Sequence, residues 1–282
     1  MHRANKVRKR TLQELDRLNA AAPIGVFDSG VGGLSVLRAA RAELPQENFI
    51  YFADSGYAPY GDKSDGYVRE RSERIGAWLI EQGVKAIVVA CNTATAVAVQ
   101  ALRAKFSLPI VGVEPGLKPA AGATKSGNVG VLATARTLAS ERYVALLARV
   151  RIDAPNIRFI ARVGEGWVEA VERGEFESPQ TEVIVTQVVT PLLAEGCDTL
   201  VLGCTHYPFL TATIQSAAPN ATIIDTAPAI ARELSRRISA ISKPVAGRFR
   251  FATSGDLTRS ITLVAAMLGE TAVFEATHTN FN

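Results

Sequence analysis

The chain has 282 residues, 48% hydrophobic and 21% charged, with a formal net charge of +4, the balance of an ordinary soluble protein of one large or two modest domains. No stretch of about 18 uninterrupted apolar residues occurs, so no transmembrane helix is expected. Three cysteines without framework spacing give no disulfide scaffold, and reduced thiols in a cytoplasm are the default.

Much of the basic excess sits in HRANKVRKR (2–10), and the rest of the chain is close to neutral. A short basic arm can touch nucleic acid or an acidic membrane surface, but a solvated tail is the plainer reading. TLQELDRLNAAA (11–22) follows it with polar residues every few positions, so no signal-peptide core is present.

From there short apolar runs alternate with helical patterns. PIGVFD (23–28) reads as a buried strand, SGVGG as a turn, and LSVLRAARAEL as a helix. NFIYFAD (48–54) is the next strand; SGYAPYGDKS is a loop leading into the helix GYVRERSERIGAWLIEQG. VKAIVVAC (84–91) is a strand, TATAVAVQALRAKF a helix, and PIVGVE (109–114) a strand. Continuous β-rich runs separated by helices indicate parallel strands covered on both faces, the α/β class.

The pattern then restarts. NVGVLATARTLASERYVALLARV echoes PIGVFDSGVGGLSVLRAARAEL, and CDTLVLGCTHYPFLTATIQSA echoes VKAIVVACNTATAVAVQALRA. Cys91 and Cys204 stand 113 residues apart, and Gly25 and Gly130 stand 105 apart, as a duplicated α/β half with a small insertion would give. Chance similarity between α/β units would leave the same trace. In open α/β sheets ligands sit beyond the carboxyl ends of the strands. Asp28, Asp54, Cys91, Glu114, Cys204 and Asp225 all fall at such ends. If the two sheets face each other, Cys91 and Cys204 approach one ligand from opposite sides.

A thiolate is both base and nucleophile, and the N–H groups at a strand-to-helix junction favour an anion. One thiolate and one thiol form a base/acid pair: a proton leaves one face of a carbon and another arrives at the opposite face, inverting the centre without a cofactor. A cysteine at a strand end is also a common small core residue, and Cys197, which precedes its strand, is assigned there. CNT and CTH place small polar side chains directly after the sulfur of Cys91 and Cys204, which a core cysteine does not require. Cys204 and His206 lack further ligands for zinc, and the chain has no CxxC, no GxSxG and no lysine in a Schiff-base context. His206 is close enough in sequence to tune Cys204 or to protonate a substrate group.

DSGVGG (28–33) is either a cradle of N–H groups for an anion or a left-handed turn capped by Ser29; it matches neither dinucleotide nor P-loop spacing. Asp28, a carboxylate directly after an apolar strand, needs donors or a partner. APYGDKS (58–64) has the composition of a surface turn, whose Tyr60 and Lys63 could reach a carboxylate.

Six stretches in order, GVFDSGVGGLSVL, YFADSGYAPYGDKS, VVACNTATA, PIVGVEPGLKPA, VGVLATARTLAS and LVLGCTHYPFL, resemble the glutamate racemases of the aspartate/glutamate racemase superfamily, over about residues 23–240. The resemblance implies cofactor-independent interconversion of L- and D-glutamate, supplying D-glutamate for peptidoglycan, on two similar α/β domains facing across a cleft. It implies Cys91 as the base toward the D-isomer, assisted by Asp28, and Cys204 toward the L-isomer, assisted by His206. Ser29, Tyr60, Gly61, Asn92, Thr93 and Thr205 match positions that hold the substrate's amino and carboxylate groups. The implied division is an N-terminal extension (1–22), a first domain (23–116 plus 229–282) and a second domain inserted at 117–228.

Two stretches depart from the family pattern. ARVGEGWVEAVERGE stands where a Cys-Pro and a PLVE stretch are common; Glu172 aligns there in altered surroundings and is not included among the site residues. IDTAPAIA carries Pro228 where a glycine or acidic residue is usual. Members with such N-terminal extensions include some regulated by a cell-wall precursor, so an effector is a second expected partner beside glutamate. A homodimer is the general expectation, nucleic acid and membrane are not expected, and no metal is implied. Aspartate racemisation, decarboxylation of a malonate-like acid and a two-lobed binding protein are the alternatives; paired cysteines favour racemisation, because many decarboxylating relatives keep one.

Overall fold

The structure is a computed structural model that describes residues 21–238, 247–269 and 275–279. The basic arm lies outside the described residues up to position 20.

Four buried runs build the first sheet: β1 (Ile24–Asp28), β2 (Phe49–Ala53), β3 (Ala86–Val89) and β4 (Ile110–Gly112). They are joined by α1 (Leu34–Glu43), α2 (Asp65–Glu81) and α3 (Asn92–Lys105). α4 (Leu117–Ala123) leads into the second sheet, made of β5 (Asn128–Ala133), β6 (Arg158–Val163), β7 (Thr199–Leu202) and β8 (Thr222–Ile224). Its connections are α5 (Ala135–Ala139), α6 (Glu141–Asp153), α7 (Trp167–Arg173), α8 (Pro179–Ala194) and α9 (Thr211–Ala217). The chain returns through α10 (Ala227–Arg237), then β9 (Phe249–Thr253), α11 (Leu257–Leu268) and β10 (Glu275–His278).

All pairings are parallel, and the two sheets repeat one order. The first runs β10-β9-β2-β1-β3-β4 and the second β6-β5-β7-β8, so β5 to β8 follow the plan of β1 to β4. In each sheet the chain leaves the central strand to one side and later returns on the other. That reversal opens a crevice at the carboxyl ends, between β1 and β3 and between β5 and β7. Cys91 and Cys204 each stand two residues beyond the end of the returning strand.

Continuous apolar runs form these strands because both faces are covered. One face of the first sheet packs on α2 and α3 through Phe27, Phe52, Ile75, Leu79, Val89 and Leu102. The other face belongs to a core that continues into the second sheet, through Val26, Leu37, Tyr51, Leu132, Leu202 and Leu234. α10 lies along α1, so the returning chain closes the first lobe. Pro228 sits in the first turn of α10, where its missing N–H costs no helical bond, so the proline suits the helix start.

Candidate active site

The two crevices face one cavity of about 300 Å³. Its wall from the first lobe includes Asp28, Ser29, Tyr60, Gly61, Cys91, Asn92 and Thr93; its wall from the second includes Thr134, Gly164, Val168, Cys204, Thr205 and His206. Asp28, Ser29, Tyr60, Gly61, Cys91, Asn92, Thr93, Cys204, Thr205 and His206 therefore border the same space, whereas Lys63 does not line it. The floor is tied across the lobes: Ser35 Oγ donates to the Thr205 carbonyl at 2.9 Å, and Thr205 Oγ1 donates to Asp28 Oδ2 at 3.4 Å.

Cys91 ends the β3 crossover and caps α3. Its sulfur accepts from the Ala94 N–H at 3.4 Å, and its thiol faces Ser29 Oγ at 3.7 Å. Burial, and next the Asp28 carboxylate, push the Cys91 thiol well up, against the pull of those donors. Asp28 is fully buried and accepts from the Ser29 N–H at 2.7 Å and the Gly33 N–H at 2.6 Å. Burial raises its carboxyl, with His206 and the Gly33 N–H acting in the other direction.

On the second lobe Cys204 Sγ lies 3.7 Å from His206 Nδ1, and His206 Nε2 lies 2.7 Å from Glu172 Oε1. Burial disfavours the imidazolium, but the bonds to Cys204 and Glu172 outweigh it and lift His206 well above its ordinary range. Burial likewise raises Glu172, yet His206 and the Val31 N–H (2.9 Å) hold it below the usual carboxylate range. The pair stands behind one sulfur, as Asp28 and Ser29 stand behind the other.

The glycine-rich turn is not left-handed; its N–H groups do hold anions, but these are the protein's own carboxylates. None of Gly30, Gly32 or Gly33 has positive φ. The second lobe presses on two of them: a Cβ would lie 2.1 Å from Glu172 Oε1 at Gly30 and 2.2 Å from His206 Nδ1 at Gly32, while at Gly33 it would meet Ala90 and Tyr51 of the first lobe. Glu172 is bound by the Val31 N–H, and Asp28 by the Ser29 and Gly33 N–H groups. The 58–64 stretch also differs from its surface-turn reading. Tyr60 is fully buried, and its hydroxyl donates to Asp54 at 2.5 Å. Asp54 also accepts from Arg71 at 2.7 and 2.9 Å and from Ser254 at 2.7 Å, so its need for partners as a buried charge folds the loop inward. Of the other acids at strand ends, Glu114 pairs with Arg142, and Asp225 accepts from the Ala227 N–H at the start of α10. Among the described residues no group of three His, Cys, Asp or Glu side chains could hold a metal ion.

Comparison with known proteins decides what this cavity belongs to. Residues 34–234 match the Asp/Glu/hydantoin racemase family. The glutamate racemase of Ralstonia pickettii is 49% identical over 255 residues, 89% of each chain. The chain belongs to this family, among its glutamate racemases. As a racemase it is an isomerase, and it shares the two-lobed fold of solved relatives. A glutamate racemase isoform of Bacillus anthracis superposes with a TM-score of 0.83 at 31% identity, covering 93% of this chain and 98% of that one. The Escherichia coli glutamate racemase, solved with L-glutamate and the activator UDP-MurNAc-ala, gives 0.78 at 33% identity, covering 91% and 97%.

Sequence reading of the racemase missed Glu172 as a member of the site. The signal was its place eight residues after Gly164 in the altered ARVGEGWVEAVERGE stretch, and only the orientation of α7 turns it toward His206. It also missed the contribution of the second lobe's β5 and β6 ends, Thr134, Ala135 and Gly164, which carry no chemical signature.

Proposed function

We propose that this glutamate racemase works by two opposed thiols. What carries the reading is that Cys91 and Cys204, from equivalent strand ends of opposite lobes, open onto one cavity with a separate proton-handling partner behind each. Burial and Asp28 keep Cys91 a thiol before substrate arrives. The substrate ammonium, entering beside Asp28, adds positive charge where burial and Asp28 disfavour the thiolate. Asp28, its own carboxyl raised, is able to hold the proton that Cys91 gives up. Cys91 thiolate then removes the Cα proton of D-glutamate, and the Cys204 thiol delivers its proton to the other face. The result is L-glutamate, with Cys91 a thiol and Cys204 a thiolate; His206 gives Cys204 its proton, and as product leaves Asp28 releases the proton it held and His206 takes one up from solvent, which restores the starting state. The opposite direction runs the same steps backwards.

Charge leaving Cα spreads into the α-carboxylate, so donors fixed around that group lower the barrier. This role is assigned to Asn92 and Thr93, in the first turn of α3, and to Thr205, all of which line the cavity. The Tyr60–Gly61 stretch is assigned to the side-chain carboxylate.

The test is interconversion of the glutamate enantiomers followed by optical rotation or circular dichroism. Cys91→Ser and Cys204→Ser are each expected to lower turnover roughly 10³-fold or more, with aspartate a poor substrate. Either variant within tenfold of the parent overturns the two-thiol reading.

The same reading places the enzyme in the cytoplasm as a homodimer making D-glutamate for peptidoglycan. It puts the lobe boundaries at 23–116 plus 229–282 and 117–228. A cell-wall precursor resembling the activator bound by the Escherichia coli relative is the proposed effector. UDP-MurNAc-Ala is expected to raise turnover, and unchanged kinetics with and without it contradict that assignment.

A further inference from the structure

Arg136, on α5 of the second lobe, reaches across the cleft. Its Nε donates to the Gly61 carbonyl at 3.1 Å and its Nη1 to the Asp65 carboxylate at 2.5 Å. The Gly61 end of this fork lies on the wall of the substrate cavity, with Asp62 and with Ala135, the residue before Arg136, while the Asp65 end lines a groove just outside. The Arg136 side chain is 27% exposed, although its carboxylate partner is mostly in solvent.

Gly61 itself is unusual. A Cβ there would meet nothing within 4 Å, and its φ is not positive, so neither packing nor backbone geometry calls for glycine. The room beside it belongs to the substrate cavity and to a groove just outside, and Gly61 borders both. Its peptide is thus a wall that a bound molecule meets directly. A trans peptide is planar, with C=O and N–H on opposite sides. Holding the Gly61 carbonyl toward Arg136 therefore turns the Asp62 N–H the other way. From its own lobe the same loop is anchored one residue earlier, through Tyr60 and Asp54.

We propose that Arg136 is a positioning residue for glutamate: by clasping Gly61 and Asp65 from the opposite lobe, it sets the Gly61–Asp62 peptide at the cavity wall only when the lobes are together. The assignment rests on the glutamate-racemase reading and adds to it a residue that ties substrate capture to lobe closure. Arg136 touches neither sulfur, so its effect falls on binding. Racemisation has an equilibrium constant of one, so kcat/KM must change by the same factor in both directions.

Steady-state kinetics with both enantiomers test this, using R136M, R136K, D65N and, as a control, R142M. Arg142 sits on the same side of the cleft but pairs with Glu114, away from Gly61. R136M is expected to raise KM roughly tenfold for each enantiomer while kcat changes less than about threefold. R136K, whose ammonium cannot span both acceptors, falls between R136M and the parent. D65N, at the exposed end, raises KM by no more than about threefold, and R142M stays within about twofold. Should R136M fold poorly, a KM for R136K more than twofold above the parent, with R142M within twofold, carries the same test. KM within twofold of the parent for R136M and R136K overturns the proposal, as does an equal rise in R142M or a loss confined to kcat. A parent without glutamate turnover overturns the functional reading and this inference together; an active parent with unaffected Arg136 variants overturns the inference alone.

Discussion

His206 is almost fully buried, and a buried imidazolium is costly unless its charge is held. Glu172 and Cys204 hold it, one at each ring nitrogen. The linkage has a definite sign. Glu172 is held below its ordinary 4.5, so its contribution to stability is present above that pH and is lost as pH falls through the folded-state value. His206 is held above its ordinary 6.5, so its contribution is complete below that pH and is lost as pH rises through the folded-state value. Both are in force between these limits. Glu172→Gln is therefore expected to cost about 1–3 kcal/mol in urea unfolding near pH 5.5. That difference should shrink on moving acid of the window, and a difference that grows below pH 4.5 contradicts the assignment. The two cysteines and His206 were legible because CNT and CTH repeat at equivalent strand ends. Glu172 was not, because its partnership spans 34 residues and depends on how α7 is turned.

At the scale of elements, two turns carry more than their composition announces. The 28–33 turn is shaped by what presses on it, not by its own backbone. A methyl group at Gly32 would overlap the His206 ring, and the ring is already fixed at both nitrogens. Gly32→Ala is thus expected to cost about 1–3 kcal/mol and to lower kcat on the order of 10²-fold, read from denaturant midpoints and turnover. Unchanged kcat would mean that the ring has freedom that its contacts deny. The loop after β2 is folded inward by Asp54, which is fully buried and bound by Tyr60, Arg71 and Ser254, with Arg71 also lying over the Tyr57 ring at 3.6 Å. Arg71→Met leaves that carboxylate without its charge partner, and a loss of about 3–5 kcal/mol in chemical denaturation is expected, together with a raised KM. A loss below about 1 kcal/mol would show that Asp54 is satisfied without Arg71. Composition reads this stretch as surface because Gly, Pro, Asp and Ser dominate it. The buried Asp54 that draws it in is seen only once β2 and β9 are neighbours.

For the whole molecule, the duplication was visible in the spacing of two cysteines and two glycines, and the strand orders repeat it. Alternating buried runs were enough to give strands and helices, since parallel strands covered on both faces leave few other patterns. How the lobes meet was not legible. It depends on bonds such as Ser35 to Thr205 and Arg136 to Gly61, between residues with no pairing signal in the chain. That meeting brings a sulfur from each lobe to one cavity, the arrangement on which the proposed chemistry rests. The most direct measurement is racemisation in deuterium oxide, followed by NMR at Cα from the first turnovers. Two opposed thiols predict that each newly formed enantiomer carries deuterium at Cα while the remaining substrate keeps its protium, in both directions. Product that retains the substrate's own proton would mean one base serving both faces, and would contradict the account.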